Sequence, residues 1–285
     1  VPEYLGSRST FSLGKFGGHA GRFLVQGDVL PVAPSEAPFA PIVELPAAML
    51  PEYSTHWEIA VLVGPHAAPD FFTEAFIQTF FSSDWKVHYN SNRLGIRLTG
   101  PKPVFARTDG GEAGLHPSNI HDCEYAIGTI NFTGEMPVIL GKDGPSLGGF
   151  VCPATIIKAD LWKIGQLRPG DRIRFRPTEF NTAARAEKAT DAAIEALGSG
   201  EASPLQIAII HADQPANEPA VLHHSPAGGT RPEVIYRQAG DRYILIEYGP
   251  IILDMDFRFR VYALMDYFRQ NPLEGIIEFS PGVRS

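Results

Sequence analysis

The chain has 285 residues, 44% hydrophobic and 20% charged, with a net charge of −8 and a pI near 5.6. That balance is globular and argues against intrinsic disorder. Without a sustained basic stripe, nucleic acid is not expected as a partner; without an apolar run of about 18 residues, neither is a membrane. Two cysteines, Cys123 and Cys152, are too few for a disulfide framework and fit a reducing, cytoplasmic compartment.

Scattered prolines (25) and glycines (28) predict many short elements joined by turns. Near the start, "GKFGGHAGR" sets His19 between Lys15 and Arg22, an anion-binding loop or, more plainly, a surface turn. Strands are predicted at 56–63 (HWEIAVLV), 94–98, 125–132, 137–140, 150–158 and 172–176 (RIRFR), where β-branched and aromatic residues dominate between Gly, Pro and Asp turns. Phe72, Phe76 and Phe80 at fourfold spacing predict a helix over 70–81 with Asp70 as N-cap. An alanine-rich helix is predicted over 181–197, capped by Asn181 or Thr182 and stopped by Gly198. A strand at 205–212 follows. Residues 213–232, rich in Pro, Gly, Ala and His, then read as an inter-domain linker. Beyond it a β-hairpin is expected around Ala239-Gly240-Asp241. A helix over 254–270 should bury Phe257, Val261, Leu264, Met265 and Phe268, with "GIIEF" following. The fold class is therefore mainly β with a few helices (α+β). The expected divisions are 1–212, a linker at 213–232, and a second unit from 233 to 285. Some fifty residues are thin for an independent core, so the chain reads as a piece of a longer polypeptide.

The chemistry concentrates between His116 and Val151, "HPSNIHDCEYAIGTINFTGEMPVILGKDGPSLGGFV". His116 and His121 are five apart with Pro117 and Ser118 between, so no helix brings them together, and in a strand His121 and Asp122 point to opposite faces. A metal is not expected; polar groups satisfying a tight turn are. "GKDGPSLGG" lacks the Gly-Lys-Ser/Thr ending of a phosphate loop, and no Gly-x-Gly-x-x-Gly opens a helix. Cys123 beside Asp122 and Glu124 is a blunted nucleophile, Cys152 reads as core, and Ser118 lacks a nucleophile elbow. The glycines retain one use, letting backbone N–H groups approach a flat ligand closely. His223 and His224 fall in the linker and read as solvated, and His56, His66, His88 and His211 as isolated.

The run from 116 to 171, "HPSNIHDCEYAIGTINFTGEMPVILGKDGPSLGGFVCPATIIKADLWKIGQLRPGD", resembles the carboxyltransferase domain of urea carboxylases and fused urea amidolyases, a family that takes in allophanate-hydrolase-subunit-2-like proteins. "YLGSRSTFSLGKFGGHAGRFLVQGDVL", "NSNRLGIRLTGP" and "YRQAGDRYILIEYG" extend the likeness over nearly the whole chain, and the last segment is similar to the start of a subunit-1-like second subdomain. Glu135, Lys142 and Cys152 depart from the usual wording without breaking it.

The resemblance implies cyclophilin-like β-barrel subdomains and transfer of a carboxyl group from carboxybiotin to a urea nitrogen, giving allophanate. It implies biotin as cofactor, carried covalently on a separate carrier domain and charged by a biotin carboxylase domain. The implied partners are those two domains, the second carboxyltransferase subdomain, and urea or a similar ureido or guanidino substrate. Asn119, Asp122, Tyr125 and Arg284 are the expected substrate contacts. His116 and His121 would join Asn119 and Asp122 in the chemistry, and Asn131, Gly148 and Gly149 would lie against the biotin ring. The competing readings are a 5-oxoprolinase-type hydrolase and a non-catalytic regulatory module of the same fold.

Overall fold

The structure is a computed structural model, and it describes residues 1–32, 44–45, 47, 50–199 and 219–285. The chain divides into two compact units, Val1–Pro46 and Ala47–Ser285. In the first, β1 (Thr10–Phe11) and β2 (Phe16–Gly17) form a small hairpin. The glycine-rich loop closes on itself: Arg22 donates to both carboxylate oxygens of Asp28, at 2.8 and 2.6 Å, and His19 Nε2 lies 3.6 Å from the same carboxylate. This is the surface-turn reading of His19.

The second unit is built on a closed seven-stranded barrel. Its strands are β3 (His56–Val63), β4 (Trp85–Val87), β5 (Ile96–Thr99), β7 (Thr129–Thr133), β8 (Met136–Ile139), β10 (Ala154–Ile156) and β11 (Arg172–Pro177). Every neighbouring pair is antiparallel except β3 and β11. A second pair, β6 (Asn119–Glu124) with β9 (Leu147–Phe150), lies outside the barrel ladder. The mainly-β class with few helices holds: among the described residues there are four, α1 (Glu74–Ser82), α2 (Leu161–Ile164), α3 (Phe180–Ser199) and α4 (Met255–Gln270).

Helix α1 and the turn before it supply the aromatic core. Phe80 stacks on Phe175 of β11 at 5.2 Å between centroids, and Phe72 and Phe76 meet Phe132 of β7 at 5.2 and 5.7 Å. The expected cap shifts. Residues 67–72 form a turn in which Phe71 N–H and Phe72 N–H both return to Ala67 O, so the helix starts later, with the Thr73 hydroxyl accepting from Phe76 N–H. Asp70 reaches Arg237 instead, at 3.2 Å. Helix α3 lays Ala183 and Ala186 against Leu62, Ile157 and Ala159, where small side chains permit close approach. It begins at Phe180 and runs through the expected stop at Gly198 to Ser199; Thr182 and Ala183 N–H groups bond Glu179 O.

Other boundaries moved for local reasons. The strand expected at 94–98 begins only after an Asn92–Gly95 bridge. The expected 125–132 strand begins at Thr129, because residues 126–129 turn (Thr129 N–H to Ala126 O) through Gly128 at φ +87°. The expected 150–158 strand is two: β9 ends at Phe150 on β6, and β10 enters the barrel at Ala154, with Pro153 O taken by Gly64 N–H. The strand expected at 205–212 lies outside the described residues, as do 213–218. The rest of the expected linker is not featureless: Val221–Ser225 forms β12, an exposed edge strand with a bulge, so His223 and His224 sit on a strand, and His224 pairs with Glu233 at 2.7 Å. It joins β13 (Val234–Gln238) and β14 (Ile244–Tyr248), the hairpin expected around Ala239-Gly240-Asp241. Helix α4 has Asp254 as its cap and buries Val261, with Phe257, Leu264, Met265 and Phe268 half-buried beside it. Residues 275–279 form no strand.

Candidate functional site

The barrel's outer face carries a cross-strand row. Arg97 of β5 faces Val138 of β8, and Val138 faces Asn131 of β7. Since directly opposed residues share a face, these three form the floor of a cavity of ≈ 330 Å³. Leu147, Gly148 and Phe150 of β9 form one wall; Asn90, Asn92 and Leu94 from the loop before β5 form another. Tyr125, Thr133, Leu140 and Pro145 complete it. The lining is mostly apolar, with three carboxamides, two hydroxyls and one guanidinium, Arg97, the composition of a site for a small polar molecule.

Tyr125 organises the β9 wall. Its hydroxyl accepts from Phe150 N–H at 2.8 Å and lies 3.3 Å from Phe150 O, to which it donates. Burial pushes its phenol well above the ordinary range, with the neighbouring thiols of Cys152 and Cys123 adding to the shift, so it stays a neutral hydrogen-bonding group. Gly148 has to be small here: a Cβ would lie 2.4 Å from Tyr125 Cε2. Asn131 is 4% exposed, and its Oδ1 takes the Thr133 hydroxyl at 3.5 Å.

Of the residues singled out in the sequence, Tyr125, Asn131 and Gly148 line this cavity. Gly149 does not; a Cβ there would meet Ile120 O at 2.6 Å, so it serves the β6–β9 approach. His116, Asn119, His121 and Asp122 are also outside the lining. The His116 ring caps a turn, accepting at Nδ1 from Ser118 N–H (3.1 Å) and from the Ser118 hydroxyl (2.8 Å), while Ser118 Oγ accepts from Gly134 N–H. Arg107, unremarked in the sequence, clamps the same turn by donating to Pro117 O at 3.0 and 2.6 Å. Asn119 packs on Gly110 and Gly114. His121 Nε2 is buried and unpartnered among the described residues, and Asp122 is exposed, with its backbone O accepting from Val283 N–H at 3.2 Å.

Arg284 is spent elsewhere. It donates to Glu247 Oε1 at 2.5 Å and to Gly249 O at 2.8 Å, all buried. Glu247 Oε2 takes Arg237 Nε at 2.6 Å, and Arg237 continues to Pro65 O and Asp70, both at 3.2 Å. This network ties the β12–β13–β14 sheet to the barrel. His66 lies beside it, with Nδ1 accepting from Cys152 N–H and Nε2 4.0 Å from Glu247. Burial holds the His66 imidazole well below its ordinary value, and Arg237, Arg284 and Arg107 reinforce the shift. The two cysteines are buried thiols whose ionisation burial pushes well up, so neither suits nucleophilic work.

The polar lining residues missed by sequence reasoning are Asn90, Asn92, Arg97 and Thr133. Only Thr133 belongs to the run 116–151. The other three reach the cavity because β5 pairs with β8, a long-range event without a local signal.

The chain belongs to the family of the carboxyltransferase domain, subdomain A and B, which it matches over residues 1–177. The urea amidolyase of Lachancea kluyveri is 50% identical over 299 aligned residues, covering 100% of this chain and 16% of that protein. The crystal structure of the K. lactis urea amidolyase superposes with a TM-score of 0.89 at 47% identity, over 99% of this chain and 18% of that one. The Kluyveromyces lactis urea carboxylase structure gives a TM-score of 0.87 at 46% identity, over 99% of this chain and 26% of that one. The chain thus spans less than a fifth of the curated relative's length.

Proposed function

We propose that the chain is the carboxyltransferase part of a biotin-dependent urea carboxylase acting in the cytoplasm, and that the cavity floored by Arg97, Val138 and Asn131 is where transfer to urea occurs, giving allophanate. The observation that carries this reading is the buried Asn131 carboxamide within a cavity walled by the glycine-bearing strand β9.

A ureido group is flat and neutral, with N–H donors and one carbonyl acceptor. The residues present suit it: carboxamides at Asn90, Asn92 and Asn131 offer both donors and acceptors, and Leu94, Val138, Leu140 and Leu147 supply apolar walls. Biotin, carried on another domain, would bring the activated carboxyl group. Asn131 orients the substrate: its Oδ1 takes the Thr133 hydroxyl and its side chain also bonds the Tyr125 hydroxyl, which fixes the carboxamide and leaves one amide N–H to donate to a carbonyl oxygen. Gly148 lets β9 approach the flat ligand without a side chain between them, and Tyr125 fixes that strand. Leu94 and Leu147 stand exposed among the lining, apolar surface that a docked carrier domain would cover, excluding the water that otherwise consumes the activated carboxyl.

The test is Asn131→Ala in the intact polypeptide. Urea-dependent turnover should fall by about 100-fold, as when one preorganised donor is removed, while bicarbonate-dependent carboxylation of the carrier continues. Full urea-dependent turnover in the variant would overturn the assignment.

A further inference from the structure

A second constellation stands apart from the cavity. On the outer face of the barrel, Arg172 of β11 is flanked in register by His56 of β3 and Lys86 of β4. Opposed residues share a face, so two fixed cations and an imidazole lie side by side across three strands. All three are exposed.

The strand next provides Arg174 and Arg176 on the same face, and these are neutralised. Arg174 donates to Asp84 at 2.8 and 2.6 Å, and Arg176 pairs with Glu58. Arg172 differs: among the described residues its guanidinium has no carboxylate partner, and neither does Lys86. Together with Trp57, His56 and the three arginines and two carboxylates line a crevice of ≈ 230 Å³. Counting Lys86, which stands beside the crevice rather than in its lining, the patch holds four fixed cations against two carboxylates among the described residues, on a chain whose net charge is −8.

Like charges in register on adjacent strands repel. The arrangement becomes favourable when an anion sits between them, and a guanidinium fork presents five donors suited to a multi-oxygen anion. We propose that the His56–Arg172–Lys86 row is a binding site for a phosphate-class oxyanion. A dianion matches the two unpaired fixed charges, whereas a monocarboxylate leaves one uncompensated. The crevice is sized for a small group rather than for a folded partner.

The test is made on the intact polypeptide. Arginines are labelled with phenylglyoxal at increasing inorganic phosphate, at ionic strength held constant with chloride, and labelling is mapped by mass spectrometry. Arg172 should be protected at least fivefold, with exposed Arg269 on α4 as the unprotected control. Lys86→Gln should weaken the protective effect about tenfold, the loss of one charge-assisted contact. Equal protection of Arg172 and Arg269, or none at Arg172, overturns the site. So does Arg172 already protected without phosphate, which would mean that an acidic segment of the polypeptide occupies the row. Lys86 and Arg172 are surface residues, so neither Lys86→Gln nor Arg172→Gln should impair folding. Phosphate protection persisting at full strength in Lys86→Gln would also refute the three-residue site.

Discussion

Replacing Glu247 by Ala should loosen the C-terminal sheet from the barrel. Glu247 is 2% exposed, and its carboxylate neutralises Arg237 and Arg284, themselves 6% and 8% exposed. Its two oxygens take contacts of 2.6 and 2.5 Å, one from each guanidinium. Deleting the acid strands two cations where water cannot reach them. Breaking one buried pair costs about 3–5 kcal/mol. Residual partners (Asp70 and Pro65 O for Arg237, Gly249 O for Arg284) soften the loss, so about 4 kcal/mol is expected. At 1.36 kcal/mol per decade this accelerates opening about 1,000-fold. The assay is native-state hydrogen exchange on the intact polypeptide, read on peptides covering β13 and β14. A triple variant, Glu247→Met with Arg237→Met and Arg284→Leu, should exchange far more slowly than Glu247→Ala, because no charge remains buried. If Glu247→Ala accelerated exchange less than about tenfold, the network would be solvated and the argument from burial would fail.

Two further outcomes follow from the same geometry. Gly148→Ala should displace Tyr125 or β9, costing about 1–3 kcal/mol of local stability and lowering urea-dependent turnover; faster exchange at 147–150 measures the first effect and steady-state kinetics the second. His66→Asn keeps an acceptor for Cys152 N–H but removes the titration. The folded imidazole is held below its ordinary value near 6.5, so the unfolded chain binds more protons below that pH, and the wild type loses stability as pH falls from 6.5 toward the depressed folded value. The variant should lack that component, a difference of up to about 1.4 kcal/mol per pH unit; identical acid profiles would show that His66 does not stay neutral.

The elements legible in the sequence were those whose signal is local. HWEIAVLV became β3 with the expected bounds, because an apolar β-branched run between turns has few alternatives. The helix expected over 254–270 became α4 (Met255–Gln270), and the 239–241 turn made a hairpin. What escaped depended on distant partners. The edge strand Val221–Ser225 hides in a Pro- and His-rich stretch and exists because β13 pairs with it. Asp70 seemed a good cap, yet a turn onto Ala67 delayed the helix to Thr73. At the site, the run from 116 to 151 contains nine of the cavity's fourteen lining residues, including Tyr125, Asn131 and Gly148. Within it, polarity alone did not separate His116, which caps a turn, from Asn131, which faces the cavity. That distinction depends on which face of a strand becomes the outside of the barrel.

The parallel pairing of β3 with β11 has a consequence for how the protein can be made. β3 is flanked by β10 and β11, both of which emerge from the ribosome long after it. Until residue 177 has been synthesised, HWEIAVLV has bare backbone on one or both edges and the barrel cannot close. Such a strand is a template for pairing with other chains. Expression pieces of this region should therefore keep residues 56–177 together; a cut anywhere between 64 and 172 is expected to yield insoluble material, whichever half is retained.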